Sequence, residues 1–363
     1  MKGIRHMARR TDPLTALGIA LTFAVPPGAP AQNGGIATAY IQNGRIWTCA
    51  YETSAGPHHD NAIGGAPDWV IVEQRDVNGR KLVTYRLLTM GFRDARTPLR
   101  WHLAYDALWV AGQKAHSRRT PPGLRVPLDK LESFDRDLKS FIGSHASRGN
   151  PQNDAAEKVA ARPKSIGSGA LRGKDDADPA IRYLWPMFPW TYLDGYAADL
   201  TFDVLPTSPD SCRVLYRIGP EIKVYESNGL EEFKEVNHFE VDFKEWFRVF
   251  GSRDAVILVT HSGKVYLAKR GGAKILLQAL WNDPIRPVVA AVVDVASDTT
   301  YLLAQAVPRA QSKYIRLDKD GRLTEKFIDP AKLKPFRGDK PLEACVPFAQ
   351  YLFAEGLLTE KRP

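Results

Sequence analysis

His58, His59 and Asp60 stand side by side in the stretch E-T-S-A-G-P-H-H-D-N-A-I-G-G-A-P-D. Their imidazole and carboxylate groups suit zinc or another transition metal. Neighbouring side chains of an extended segment point opposite ways, so this loop must bend to bring both histidines onto one ion. The chain has no H-x-x-x-H pair and no second cluster to supply the remaining ligands. A divalent metal is therefore chemically permitted there, an exposed polar loop is the alternative, and no cofactor is expected.

Aromatic rings gather in I-R-Y-L-W-P-M-F-P-W-T-Y-L-D-G-Y, which holds Tyr183, Trp185, Phe188, Trp190 and Tyr192, with Asp194 beside them. Flat rings next to a carboxylate can stack on and hydrogen-bond to sugars, and they also suit aromatic or proline-rich partner surfaces. The same rings can instead pin the segment onto the core. Further acids and bases, among them His102, Asp106, Asp199, Asp203, His238 and Asp254, fall near strand ends or loops. Catalysis is decided by geometry before pKa, so no catalytic set is assigned. Familiar motifs fail on spacing. D-K-D-G at Asp318–Gly321 would place Arg316 and Phe327 at the first and twelfth positions of a calcium loop, which makes it a hairpin turn. Walker, nucleophile-elbow and H-E-x-x-H patterns are missing from the sequence.

What positions these groups is a series of hairpins. Two-residue turns of the Asn-Gly, Asp-Gly or Gly-Gly kind match the twist of antiparallel strands. They occur at Asn78-Gly79, Asn228-Gly229, Gly271-Gly272 and Asp320-Gly321, each between β-prone runs. The last three lie 43 and 49 residues apart. Ahead of them stand S-C-R-V-L-Y-R-I, D-A-V-I-L-V-T and T-T-Y-L-L-A-Q, and ahead of those D-L-T-F-D-V, E-W-F-R-V-F and V-V-A-A-V-V-D-V. The repeated order is strand, strand, hairpin. A-T-A-Y-I-Q-N-G-R-I-W-T-C-A-Y-E with the Asn78-Gly79 hairpin makes another such unit, and R-W-H-L-A-Y-D-A-L-W-V-A-G-Q begins one more.

This pattern resembles the β-propeller superfamily, loosely in the manner of WD-repeat and YVTN-type proteins, by architecture and not by any residue-level motif. The resemblance implies an all-β fold of antiparallel four-stranded blades, about five and up to seven, over residues 32–363. An ordinary antiparallel sandwich is the competing arrangement. Within it, residues 114–180 read as an insertion. Leu128, Leu131, Phe134, Leu138 and Phe141 give an amphipathic helix over 128–142, and the polar tract 144–180 reads as disordered. The segment L-E-A-C-V-P-F-A-Q-Y-L-F-A-E-G fits a closing strand or a short helix equally.

In a blade with strands a to d, the b–c and d–a loops share one face. Long b–c loops are expected at Glu52–Asp68, at the insertion from Lys114 to about Ala180 and at Ala306–Ser312, and they make that face the expected binding surface.

Residues 1–31 carry Lys2, Arg5, Arg9 and Arg10, then the apolar run Leu14–Val25, then Ala29-Pro30-Ala31. They read as a cleavable signal peptide, too short in its apolar part for a span of roughly 20 residues. The expected product is exported, periplasmic or extracellular, with no integral membrane segment after cleavage. The formal charge of +9 is drawn partly from this leader and from the basic 114–174 stretch, so nucleic-acid binding is not indicated. Cys49, Cys212 and Cys345 are too scattered for a disulfide framework and read as buried thiols. The function expected is a monomeric binding or scaffold module that holds a protein or glycan on the long-loop face. A propeller-type saccharide hydrolase or lyase is the alternative.

Overall fold

The computed structural model describes residues 36–53, 68–88, 100–111, 123–132, 182–183, 201–228, 232–251, 255–271, 274–305, 311–333 and 342–359. The expected leader 1–31 and the tract 144–180 lie outside them. Five four-stranded antiparallel units follow one another along the chain. The first holds β1 (Ala37–Gln42), β2 (Arg45–Thr53), β3 (Asp68–Arg75) and β4 (Lys81–Leu88). The second holds β5 (Arg100–Ala104), β6 (Ala107–Ala111), β7 (Gly123–Pro127) and β8 (Arg182–Tyr183). The third holds β9 (Thr201–Ser208), β10 (Ser211–Ile218), β11 (Glu221–Asn228) and β12 (Glu232–Glu240). The fourth holds β13 (Phe247–Gly251), β14 (Ala255–Thr260), β15 (Val265–Gly271) and β16 (Lys274–Trp281). The fifth holds β17 (Val288–Asp294), β18 (Thr299–Ala304), β19 (Lys313–Leu317) and β20 (Leu323–Phe327).

Each unit is a meander in sequence order, so the all-β blade architecture expected from the hairpin spacing is present. The expected hairpins fall between β3 and β4, β11 and β12, β15 and β16, and β19 and β20. Gly79 turns the first of them at φ +78°, with its N–H donating to the Asp76 carbonyl at 2.9 Å. The second blade differs from the others. Its third strand, β7, lies inside the 114–180 stretch, so its long connections are 112–122 and 128–181. Its c–d connection is therefore long, unlike the tight turns of the other four blades. Of the expected helix 128–142, the described part is a 3-10 turn at Leu128–Lys130 followed by helical Leu131 and Glu132, with Leu131 fully buried.

Blades packed face to face bury both sides of their inner strands. That is why β1 and β14 are buried at every position and read as continuous apolar runs rather than alternating ones. Trp109 of the second blade packs with Phe202, Val204, Val214 and Tyr216 of the third. Leu215, Val224 and Phe239 of the third meet Val249, Leu258 and Tyr266 of the fourth. Ile257 and Leu267 of the fourth meet Ala291, Leu302 and Ile315 of the fifth. Outer strands are wetter, as in β20, where Thr324 to Phe327 are exposed.

The ring closes by strand pairing. β1 lies parallel to β17, with Ala37 opposite Ala290 and Ala39 opposite Val292, so the first and last blades form one eight-stranded sheet. The seam leaves no place for another strand, and the C-terminal segment forms a helix, α1 (Leu342–Ala354), across one face of it. Phe348, Ala349 and Leu352 of α1 pack on Ala39, Ile41, Ala290 and Val292. Cys49, Cys212 and Cys345 are buried free thiols, as their apolar surroundings imply.

Candidate functional site

The innermost strands carry ionisable side chains where a purely structural strand would carry apolar ones. In β5 the period of two sets Arg100, His102 and Ala104 on one side and Trp101 and Leu103 on the other. Tyr40 in β1, Asp203 in β9 and Arg248 in β13 complete a group drawn from four blades. All five ionisable residues are buried, and Asp203 is wholly so.

The group is connected throughout. Tyr40 Oη lies 2.8 Å from His102 Nδ1 and 3.2 Å from the Trp101 carbonyl oxygen. His102 Nε2 lies 2.9 Å from Asp203 Oδ1, which also accepts the Val204 N–H at 2.8 Å. Asp203 Oδ2 accepts the Val249 N–H at 2.9 Å and pairs with Arg248 Nε at 3.1 Å. Arg248 Nη2 donates to the Trp101 carbonyl at 2.8 Å, and Arg100 Nε donates to the Phe202 carbonyl at 3.2 Å. An ionised carboxylate offers about four lone-pair sites, of which three accept hydrogen bonds here, and the charge is balanced by the ion pair with Arg248.

The electrostatics follow from this burial. Loss of water alone would raise the Asp203 pKa, but Arg248 and His102 outweigh it and hold the carboxyl well below its usual range. Burial lowers the His102 pKa against the pull of Asp203, and burial pushes the Tyr40 hydroxyl upward. Burial also brings Arg100 down to about 9. The arrangement fits a neutral imidazole that donates from Nε2 to Asp203 and accepts the Tyr40 proton at Nδ1.

Beside Tyr40 and His102 lies a cavity of about 290 Å3, lined from all five inner strands and the turns that follow them. It sits at the a–b turn end of the channel, among Tyr105, Gly251 and Asp298. The b–c loops belong to the opposite face. The expectation that the whole insertion lies there with them fails. Its longer part, 128–181, is a c–d connection that leaves from this face, where the Leu128 N–H donates to the Asp106 carbonyl of the a–b turn at 2.9 Å.

Of the residues singled out from sequence, the fold joins His102 to Asp203. Asp106 sits in the β5–β6 turn, where its carboxylate accepts from the Gln42 amide. His238 is on the exposed strand β12, 3.6 Å from Glu235. His58, His59, Asp60, Trp185, Phe188, Trp190, Tyr192, Asp194, Asp199 and Asp254 lie outside the described residues, and of Tyr183 only the backbone pairing with Leu124 is described. Among the described residues no cluster of three or more His, Cys, Asp or Glu could hold a metal ion. Tyr40, Arg100 and Arg248 were not singled out. Their signal was an ionisable or phenolic residue inside an apolar inner-strand run, because such groups are almost never fully buried unless paired.

No protein-family model and no curated protein sequence matches the chain. Its structural neighbours include β-propeller-type proteins. A GH43 β-1,3-galactosidase with galactodeoxynojirimycin is similar at TM-score 0.40 and 9% identity, over 82% of this chain and 94% of that one. The exo-inulinase of Aspergillus awamori is similar at TM-score 0.38 and 10% identity, over 83% and 65%. YCF48 bound to D1 peptide is similar at TM-score 0.36 and 8% identity, over 83% and 70%. The chain spans 32% of a prolyl endopeptidase and 64% of a quinonprotein alcohol dehydrogenase-like protein from Bacteroides thetaiotaomicron that it also matches. At this level of likeness none of these proteins carries an argument about function.

Proposed function

We propose that the protein is an exported binding or scaffold propeller, loosely of the WD-repeat and YVTN-like kind. It holds a protein or glycan partner on the face that carries its long b–c loops. One observation favours binding over saccharide hydrolysis: Asp203, the carboxylate at the centre of the channel, is fully buried, accepts three hydrogen bonds and is ion-paired to Arg248. Glycoside cleavage of the usual kind needs two carboxyl groups about 5–10 Å apart, with room for a sugar between them. His102 is committed at both ring nitrogens, so it has none free to exchange a proton with a substrate. The group reads as a key that fastens four inner strands together and leaves recognition to the loops. Export rests on the basic, apolar and small-residue order of residues 1–31. No described helix is long and apolar enough to cross a membrane.

The test pairs two assays on the secreted chain. Binding is read on glycan and peptide arrays, and reducing-end release is measured on the same glycans. Binding without release is the expected result. Release that disappears in Asp203→Asn, with an unchanged circular-dichroism spectrum, would overturn the reading in favour of a hydrolase.

A further inference from the structure

Strand β20 is the outer edge of the fifth blade and one end of the eight-stranded sheet. Its hydrogen-bond register follows from two bonds at the ends of its hairpin. The Asp318 N–H donates to the Arg322 carbonyl at 3.2 Å, and the Ile328 N–H donates to the Ser312 carbonyl at 2.9 Å. Bonded pairs alternate along an antiparallel ladder, so Thr324 and Lys326 spend their N–H and C=O groups on Arg316 and Tyr314. Those of Leu323, Glu325 and Phe327 point away from β19, out of the sheet. Alternate outward N–H and C=O groups are a template for one more strand.

The two sides of this edge differ in chemistry. Thr324 and Lys326 share the side of Arg316 and Tyr314, the side on which helix α1 packs. Arg316, Lys319, Arg322 and Lys326 are all exposed. Among the described residues none of these four makes an ion pair, whereas Lys313 and Lys332 are held by Glu325 and Glu355. From Lys313 to Phe327 five basic residues stand against three acids, and the Asp318 carboxylate already accepts the Asp320 and Arg322 N–H groups. The other side is apolar. Ile285 (55% exposed) and Phe327 (50%) are the two most exposed large hydrophobic residues among those described. The Arg286 guanidinium lies 5.8 Å from the Phe327 ring centroid, and Lys313 Nζ lies 4.6 Å from it. Arg286 is fixed by Asp283 and the Gln311 carbonyl, and Lys313 by Glu325, so the ring is held in place before any partner arrives. Charges on an edge strand can serve merely to keep edges apart, but such a strand gains nothing by showing a half-exposed phenylalanine.

We propose that β20 takes up an extended segment of a partner protein as a further strand, a segment that alternates acidic with apolar residues. Its acidic side chains lie toward Lys326 and Arg316, and its apolar ones lie over Phe327, on the side of Trp281. The strand ends at the d–a face, which is also the face of the b–c loops. The inference therefore rests on the binding reading above, and it names the partner and its seat. Edge β12 is disfavoured for the same segment, because Glu235 and Glu240 are exposed along it.

The probe is a peptide of aspartate alternating with valine or phenylalanine, and its counterpart carries lysine for aspartate. Fluorescence titrations of the full chain should show the acidic peptide bound about tenfold more tightly than the basic one, an advantage that shrinks as salt rises. Lys326→Glu, a change at an exposed site, should erase that preference. Glu325→Pro removes an outward N–H that β19 does not use, so it should weaken the acidic peptide about tenfold while Glu325→Ala does not. Hydrogen exchange should slow at Glu325 and Phe327 in the complex. Equal binding of the two peptides, binding indifferent to Glu325→Pro, or protection confined to other strands would each overturn the proposal. So would self-association abolished by Lys326→Glu, since the edge would then belong to a second copy. An array ligand that binds Lys326→Glu and Glu325→Pro as tightly as the parent would overturn this inference alone. Arrays on which nothing binds, the probe peptides included, would overturn the binding reading as well.

Discussion

Asp203 shows how a single side chain can be both costly and indispensable. Burying a carboxylate is unfavourable, and four partners offset that only while all remain in place. Asp203→Ala should therefore destabilise the fold by about 3–5 kcal/mol, because Arg248 is left as an unpaired buried charge. Arg248→Met should cost a similar amount, and the double variant clearly less than the two together, a coupling that urea melts of all four proteins would reveal. The same group sets the acid response. Burial holds the His102 pKa below its ordinary 6.5, so below that pH the unfolded chain takes up a proton that the native chain resists. Stability from this site is thus complete above pH 6.5 and falls as pH drops, by at most about 1.4 kcal/mol per pH unit. Asp203, also depressed, adds a second loss beginning near the ordinary carboxylate value of about 4. Urea melts from pH 8 to 3.5 should show both windows, and His102→Gln should abolish the upper one and shrink the lower, since His102 helps hold the Asp203 carboxyl down. An unchanged slope in that variant would mean the upper window belongs to other groups. From sequence, His102 and Asp203 were recognisable as chemically capable, but their pairing was not. They are 101 residues apart, and Tyr40 is 62 residues from His102. No local spacing encodes such contacts.

Single elements differ in how clearly their sequences announce them. The third, fourth and fifth blades are legible because two-residue turns need residues that tolerate positive φ, and those residues recur at blade-length spacing. The second blade hides β7, a five-residue G-L-R-V-P run between two long connections with no tight turn beside it. The C-terminal segment was ambiguous because its apolar residues satisfy both strand and helix periods, and the decision comes from outside it. β1 and β17 already pair with each other, so an apolar face remains to be covered rather than a strand edge. A helix presenting Phe348, Ala349 and Leu352 covers it, even with Pro347 inside. Phe348 is fully buried, so Phe348→Ala should cost about 3–5 kcal/mol by thermal or urea melts. The helix is also tied to the first blade, since the Gln350 amide donates to the Asn78 carbonyl. A Cβ on Gly79 would meet Gln350 Nε2 at 2.8 Å, and its φ of +78° disfavours any side chain. Gly79→Ala should therefore lower the melting temperature, and more than Gly219→Ala, which also has positive φ but open space around it.

For the molecule as a whole, the fold is a ring whose closure joins the first blade to the last. The closing contact spans nearly the whole described chain, Ala37 with Ala290 through Ile41 with Asp294. Such a long-range pairing forms late and gains little until both blades exist. Helix α1 seals one face of that joint, and Tyr301 of the fifth blade donates its hydroxyl proton to the Leu357 carbonyl just beyond the helix. A chain ending at residue 341 would leave Ala39, Ile41, Ala290, Val292 and Leu303 facing water, although they are almost wholly buried in the intact protein. The loss should therefore be regional before it is global. Hydrogen exchange on the truncated chain should accelerate in β1 and β17. Exchange in β10 and β14, which pack between neighbouring blades away from the helix, should stay near its intact rate. Faster exchange spread evenly over all five blades would show instead that the ring is one cooperative unit, with closure governing every blade at once.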